Sequence, residues 1–108
     1  MRLRLLLAIF LLALTPLAAR ADVASAVAAV RAKPGVLDAL IDDRGNLWVV
    51  VKNDKINWDQ YGIFMCQVVR PHQARVFMAH IVDVTSVGRG TKPQQWKNLS
   101  QVNCSLLP

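Results

Sequence analysis

Glutamate is absent from this chain of 108 residues, and its seven acidic residues are all aspartates. Asp42 and Asp43 are adjacent in the sequence, unlike the separated carboxylate pair that glycoside hydrolysis needs. The chain also lacks a Gly-rich phosphate loop, a G-x-S-x-G nucleophile elbow and an H-E-x-x-H helix. We therefore predict that the protein is not an enzyme and carries no cofactor.

A concentrated run of positive charge is also missing. The basic residues beyond position 21 are scattered from Arg31 to Lys97, whereas a nucleic-acid-binding face gathers them on one side. Without Arg2, Arg4 and Arg20, the net charge of +6 falls to +3. We expect no nucleic-acid partner.

The N-terminus has the pattern of a secretory signal peptide. Residues 1–21 combine a basic start, an apolar run from Leu5 to Leu14 and a small-residue end that fits an A-x-A cleavage site. The apolar stretch is shorter than the about 20 residues that span a membrane, and Pro16 interrupts it. We predict cleavage after Ala21, which leaves no transmembrane segment and one domain over residues 22–108, in the periplasm or outside the cell.

The two cysteines, Cys66 and Cys104, both lie in the part predicted to be exported. An oxidising compartment lets a disulfide persist, and two cysteines allow only one pairing. Their separation of 38 residues is unlike the C-x-x-C spacing of redox pairs. We predict a structural disulfide that contributes roughly 2–4 kcal/mol to the stability of so small a domain.

Hydrophobic periodicity and chain breakers predict the order helix, strand, strand, helix, strand. The five elements are expected at residues 22–33, 36–41, 47–52, 57–70 and 74–84. Asn57 is the expected cap of the second helix, and the last strand is apolar on both faces, which is typical of an interior strand. After it we expect a helical turn at residues 94–99 and a tail that carries Cys104 back to the second helix.

These elements predict an α+β fold, a small two-layer sandwich of order α-β-β-α-β. The helices are expected on one face of a three-stranded sheet, and one disulfide closes the domain. This order of elements resembles that of the BON modules of bacterial envelope proteins, with no shared residue motif. The resemblance implies an envelope protein that contacts membranes.

Aromatic and basic residues together predict an interaction surface. Trp48 lies on the less uniformly apolar face of its strand beside Lys52, and Trp96 lies between Lys92 and Lys97. Aromatic rings next to cations suit an anionic membrane surface or an acidic protein partner. The alternative is that each tryptophan fills a shallow core.

A thiol nucleophile is the first chemical alternative. Cys66, His72 or His80, and Asp83 provide the groups that such a site needs. Because Cys66 has an obvious disulfide partner, we do not predict a catalytic residue.

Copper binding is the second chemical alternative. Met78 and His80 are two residues apart on one strand face, and Met65 is a candidate third ligand. Methionine and histidine at such spacing are more often core residues than metal ligands, so no metal site is predicted.

The sequence therefore favours an exported, non-enzymatic protein that binds a protein partner or an anionic membrane surface of the envelope. An inhibitor or immunity-type protein against another exported enzyme is the alternative, because that role favours small, rigid, disulfide-held domains. A small copper-binding protein or a hydrolase is less favoured.

Overall fold

The computed structural model describes residues 22–107 of the chain. The predicted signal peptide, residues 1–21, lies outside the described residues. Two helices and a four-stranded mixed sheet make up the regular structure of the described part. In chain order these are α1 (22–31), β1 (Val36–Ile41), β2 (Asn46–Val51), α2 (Trp58–Val69), β3 (Met78–Asp83) and β4 (Asn98–Asn103).

The four strands lie side by side in the order β1-β2-β3-β4. β1 and β2 are antiparallel, as are β3 and β4, whereas β2 and β3 are parallel. A parallel pair needs a crossover connection, and α2 provides it between β2 and β3. Both interior strands are covered on both faces, because five consecutive residues of each strand are buried.

The predicted hairpin is confirmed, with β1 at the predicted residues and β2 shifted by one residue. Its turn is held by Asp42, whose Oδ1 atom accepts hydrogen bonds from the main-chain N–H groups of Arg44 and Asn46, both at 2.9 Å. Gly45 has a φ of 83°, a conformation that glycine adopts at no steric cost.

The predicted cap of the second helix is also confirmed. The Asn57 side-chain oxygen accepts a hydrogen bond from the main-chain N–H of Gln60 at 3.1 Å. The α-helix ends at Val69, and the chain continues in a single 3₁₀ turn at Arg70–His72, which contains Pro71. Proline is tolerated in such a first turn because its missing N–H would have no partner there.

The prediction of a three-stranded sheet was wrong by one strand, and the order of elements is α-β-β-α-β-β. The fourth strand is β4, where a helical turn at residues 94–99 was expected. A 3₁₀ turn at Pro93–Gln95 is the only helical part of that stretch. The sequence of β4 is rich in Asn, Ser and Gln, which have low strand propensity, so pairing with β3 imposes the extended conformation.

The third strand is shorter than predicted. It runs from Met78 to Asp83 instead of over residues 74–84, and Gln73, with a φ of 57°, ends the preceding 3₁₀ turn. Its interior position between β2 and β4 agrees with the prediction.

The main core lies between the two helices and one face of the sheet, here called the helix face. Both helices and the middle strands contribute to it. Its buried residues are Ala26, Val30, Ala39, Leu47, Val49, Val51, Met65, Cys66, Val69, Ala79 and Ile81.

The opposite face of the sheet, here called the loop face, carries a second and smaller cluster. Trp48, Val50 and Val82 form its buried centre. Four partly buried residues surround this centre, namely Leu40, Val84, Val87 and Trp96. The connection between β3 and β4 therefore covers part of the sheet against which neither of the two described helices packs.

The predicted disulfide is formed between Cys66 of α2 and Cys104, directly after β4. The two sulfur atoms are 1.98 Å apart and the two Cα atoms 5.4 Å apart. Gly62, one helical turn before Cys66, makes room for the Val102 side chain, since a Cβ atom there would lie 2.6 Å from a Val102 methyl. The disulfide and this close contact hold β4 against α2.

Candidate functional site: the loop face of the sheet

The connection between β3 and β4, residues 84–97, is fixed to the sheet at both ends. Asp83 Oδ1 accepts hydrogen bonds from the N–H and hydroxyl of Thr85, at 2.9 and 2.8 Å, and these bonds lower the pKa of Asp83. At the other end, the Lys97 carbonyl accepts from Asp83 N–H at 3.0 Å, and Lys97 N–H donates to Ser86 Oγ at 2.9 Å. We call residues 84–97 the β3–β4 loop.

Trp96 fixes the middle of this loop. Its ring meets the Trp48 ring edge to face, with centroids 5.7 Å apart. Its indole N–H donates to Thr91 Oγ1 at 3.1 Å. Thr91 Oγ1 in turn donates to the Gly88 carbonyl at 2.7 Å and accepts from Gly88 N–H at 3.1 Å. Trp96 thus anchors the loop to the sheet.

His80 lies beneath this cluster on β3. Its ring stacks on Trp48 with centroids 3.9 Å apart and an angle of 12° between the planes. The Nε2 atom is 2.9 Å from Asn46 Oδ1, which only accepts, and Nδ1 is 3.1 Å from Gln101 Nε2, which only donates. The arrangement fits a neutral His80 with its proton on Nε2.

The hydrogen-bond chain from Gln101 through His80 and Asn46 ends at a carboxylate. Asn46 Nδ2 donates to Asp42 Oδ2 at 3.1 Å, and the Trp48 indole N–H donates to the same oxygen at 3.2 Å. Burial acts to raise the pKa of Asp42, but the hydrogen bonds from Asn46, Trp48 and Arg44 together lower it. The network favours an ionised Asp42.

The charge state of His80 follows from the same environment. Burial lowers the pKa of His80, and this effect outweighs the opposite influence of the Asn98 side chain and of the Asp42 charge. The hydrogen bonds to Asn46 and Gln101 fit the same neutral imidazole. His80 is therefore a structural link between β2, β3 and β4.

A cleft of about 320 Å³ opens beside this network. Its walls come from the hairpin turn, the sheet and the start of the 3₁₀ turn. The lining residues are Arg44, Asn46, Trp48, His80, Pro93, Gln94, Asn98 and Gln101.

A second cleft, of about 400 Å³, lies at the opposite end of β2. Lys52, Trp58 and Tyr61 contribute to its wall. The Tyr61 hydroxyl donates to the Pro34 carbonyl at 3.2 Å, and burial raises the pKa of Tyr61.

The structure divides the predicted interaction surface between these two places. It brings Trp48 and Trp96 into contact, with Lys92 and Lys97 exposed on the loop that Trp96 anchors. Lys52 is exposed but lines the second cleft. Trp48 is only 5% exposed, so it contributes to the predicted surface by packing against Trp96 from below. The interaction surface itself stays a prediction.

Sequence reasoning missed Arg89 as a member of this surface. The chain has no acidic residue after Asp83, and the β3–β4 loop carries three exposed cations, Arg89, Lys92 and Lys97. Arg89 stands between Gly88 and Gly90 with a φ of 48°, a left-handed conformation that side chains disfavour. The run of cations without acids was the signal that could have identified it.

The groups of the thiol nucleophile are not assembled. Cys66 is in the disulfide, and no cysteine among the described residues is free. His72 Nδ1 lies 2.8 Å from Ser25 Oγ of α1, and Asp83 caps the β3–β4 loop.

Met78 and His80 lie two residues apart on β3 and so share one face of the sheet, but the third candidate copper ligand, Met65, lies on the other side. Met65 is buried in the main core on the helix face, whereas His80 stacks on Trp48 on the loop face. Within residues 22–107, no group of three His, Cys, Asp or Glu side chains is arranged to hold a metal ion.

Comparison with protein-family models, with curated proteins and with solved structures finds no match to this chain. No helix within the described residues is long and apolar enough to cross a membrane. The fold and the loop face together define a small, disulfide-bonded α+β domain with a cationic loop.

Proposed function

We propose that this protein is an exported, non-enzymatic binding domain that meets an anionic partner with its β3–β4 loop. The observation that carries the proposal is the set of three exposed cations, Arg89, Lys92 and Lys97, in a segment without acidic residues. Cations near an anionic surface contribute about 1 kcal/mol each to binding. The anionic group belongs to a lipid headgroup or to an acidic protein.

The backbone at Arg89 supports a role for its side chain. A non-glycine residue in the left-handed region costs about 1–2 kcal/mol, and glycine would avoid this cost. Arg89 nevertheless stands at the tip of the loop between two glycines. Such strain is characteristic of positions that are retained for function.

The hydrogen bonds of the loop also support binding. Asp83 holds the first turn, Trp96 anchors the middle and Lys97 closes the end. A loop that is already ordered loses less conformational entropy when a partner binds. The three cations are therefore presented by a preorganised segment.

The proposed location outside the cytoplasm rests on the predicted signal peptide and on the disulfide. Disulfides persist in oxidising compartments, and the bond between Cys66 and Cys104 is compatible with one. The alternative role, an inhibitor or immunity-type protein, stays a prediction that no contact on the loop face favours.

The test is binding of the exported protein to vesicles of phosphatidylglycerol and to vesicles of phosphatidylcholine, with poly-glutamate as the acidic-protein probe. We expect binding to the anionic vesicles or to poly-glutamate that weakens as salt is added. The variant with Arg89→Asn and Lys92→Gln should bind at least tenfold more weakly, because each lost charge contributes about fivefold. Asparagine tolerates the left-handed conformation, so the loop is preserved.

The matched control carries Lys55→Gln and Arg75→Gln, which remove the same charge elsewhere on the surface. If both variants lost binding equally, net charge alone would explain the loss, and a role for the loop would be contradicted. Failure of the unchanged protein to bind either anionic probe would overturn the proposal.

A further inference from the structure

The second cleft, at the opposite end of β2 from the His80 network, has apolar surface that the fold leaves uncovered. Its volume of about 400 Å³ falls in the range of about 300–1,000 Å³ that is typical of small-molecule sites. Leu37 and Ile56 line it and are 59% and 48% exposed. Neither residue belongs to the main core or to the cluster on the loop face. The cleft can therefore cover apolar groups of a ligand.

Two aromatic rings form a corner in the wall of this cleft. Trp58 and Tyr61 are half-buried, and their rings meet at 85° with centroids 5.3 Å apart. The Trp58 indole N–H donates to Asn53 Oδ1 at 3.2 Å, and the Tyr61 hydroxyl donates to the Pro34 carbonyl at 3.2 Å. Because both polar hydrogens are bonded within the protein, the two rings offer a ligand their π surfaces.

Two opposite charges line the same cleft. Lys52 follows the end of β2, and Asp54 lies two residues further along the chain. Both are exposed, and neither forms an ion pair with another residue of the described range 22–107. Asp54 Oδ1 accepts a hydrogen bond from the Lys55 N–H at 2.7 Å, which orients the carboxylate. The cleft thus holds one cation and one anion that a ligand can pair with.

This combination of groups suits a particular kind of ligand. A quaternary ammonium is a cation with an apolar surface, and proteins bind it against the faces of aromatic rings. Asp54 complements its positive charge, whereas Leu37 and Ile56 complement its methyl groups. Lys52 complements an anionic group on the same molecule. A purely apolar ligand would use neither charge, and a metal ion or a simple anion would not use the apolar side chains.

We propose that this cleft binds a small zwitterion that carries a trimethylammonium group and an anionic group. The trimethylammonium group lies in the corner of Trp58 and Tyr61 beside Asp54, and the anionic group pairs with Lys52. Betaines, which carry a carboxylate, and phosphocholine, which carries a phosphate, share this chemistry. The site is separate from the β3–β4 loop and does not depend on the partner proposed for that loop.

The test is isothermal titration calorimetry of the exported protein with glycine betaine and, in a second arm, with phosphocholine. We expect at least one of them to bind with a Kd of about 1 mM or tighter, and the arm that binds identifies the anionic group. The matched control ligand has carbon in place of the ammonium nitrogen, so it keeps the shape and loses the positive charge. It should bind at least about fivefold more weakly.

Three variants test the residues of the site. Trp58→Leu keeps an apolar side chain but loses the π surface, so it should bind at least about fivefold more weakly. Asp54→Asn and Lys52→Gln should each bind about twofold to fivefold more weakly, because each removes one exposed charge. Asp43→Asn and Arg75→Gln remove the same charges elsewhere on the surface and should bind as the unchanged protein does.

Three results would overturn the proposal. The first is the absence of binding of either zwitterion up to about 20 mM. The second is equal binding of the zwitterion and its uncharged control, which would show that no cation is recognised. The third is unchanged binding in both Trp58→Leu and Asp54→Asn. Circular dichroism checks that each variant is folded, and Asp54→Asn alters only an exposed side chain.

Discussion

The two faces of the sheet are covered in different ways. On the helix face, Leu47 and Val49 are covered by two helices, and a disulfide joins one of these helices to the end of β4. On the loop face, Trp48 and Val82 are covered by the β3–β4 loop, and buried polar groups are linked through His80. The main core and the polar network therefore lie on opposite faces of a single sheet.

The disulfide provides the strongest test of this separation. Replacing Cys66 and Cys104 together by alanine should cost roughly 2–4 kcal/mol, because the bond restricts the unfolded chain. This loss should lower Tm by roughly 10–25 °C in a domain of this size. Thermal denaturation followed by circular dichroism measures it.

Reduction of the unchanged protein is the control for the disulfide variant. A reductant should lower its Tm by a similar amount and leave the double variant unaffected. A double variant that melts at the unchanged temperature would show that the bond does not hold β4 against α2.

A matched pair of valines compares the two faces directly. Val49 and Val82 are both 0% exposed, the first on the helix face and the second on the loop face. Val49→Ala should cost about 2 kcal/mol, since the helices cannot fill the cavity, and Val82→Ala about 1 kcal/mol, since the loop can settle into it. Urea denaturation measures both values. Equal costs would mean that the loop packs as rigidly as the helices.

The smallest expected effect is a dependence of stability on pH that arises from His80 on the loop face. The pKa of His80 is lowered in the folded state from its ordinary value of 6.5, so the unfolded chain binds the proton more readily. The stabilisation is complete above pH 6.5 and is lost as the pH falls through the lowered pKa. A further loss, from Asp42, follows below its ordinary value of 3.8.

His80→Gln should flatten this dependence below pH 6.5, because it removes the imidazole whose pKa is lowered. Urea denaturation at a series of pH values measures the effect for each protein. If the unchanged protein and His80→Gln lose stability in parallel as the pH falls, the neutral His80 network is not its source.

The hairpin, the cap of α2 and the disulfide could be predicted because their signals are local or unique. Asp42 and Gly45 mark a turn, Asn57 marks a helix start, and two cysteines have one pairing. The contact between Trp48 and His80 could not be predicted. It depends on the parallel register of β2 and β3, which makes these two residues direct neighbours.

The arrangement of the other predicted surface residues also depends on contacts between distant parts of the chain. Trp96 and its neighbouring lysines could be selected from the sequence. The packing of Trp96 on Trp48, which holds the loop that carries the cations, could not be predicted. Lys52 was grouped with Trp48 because the two residues are close in sequence. In the structure Lys52 follows the end of β2 and lines the second cleft. Arg89 was missed although the sequence holds a signal for it, the run of cations without acidic residues after Asp83.

The helices, the hairpin and the one disulfide pairing could be predicted from the sequence, since each follows from spacing or from a local preference of the backbone. The strand Asn98–Asn103 depends instead on contacts with distant parts of the chain. These residues have little preference for extended structure, and hydrogen bonds to β3 and the bond at Cys104 supply the free energy that holds them there. An edge strand formed in this way needs no apolar pattern of its own, which is why its sequence did not reveal it.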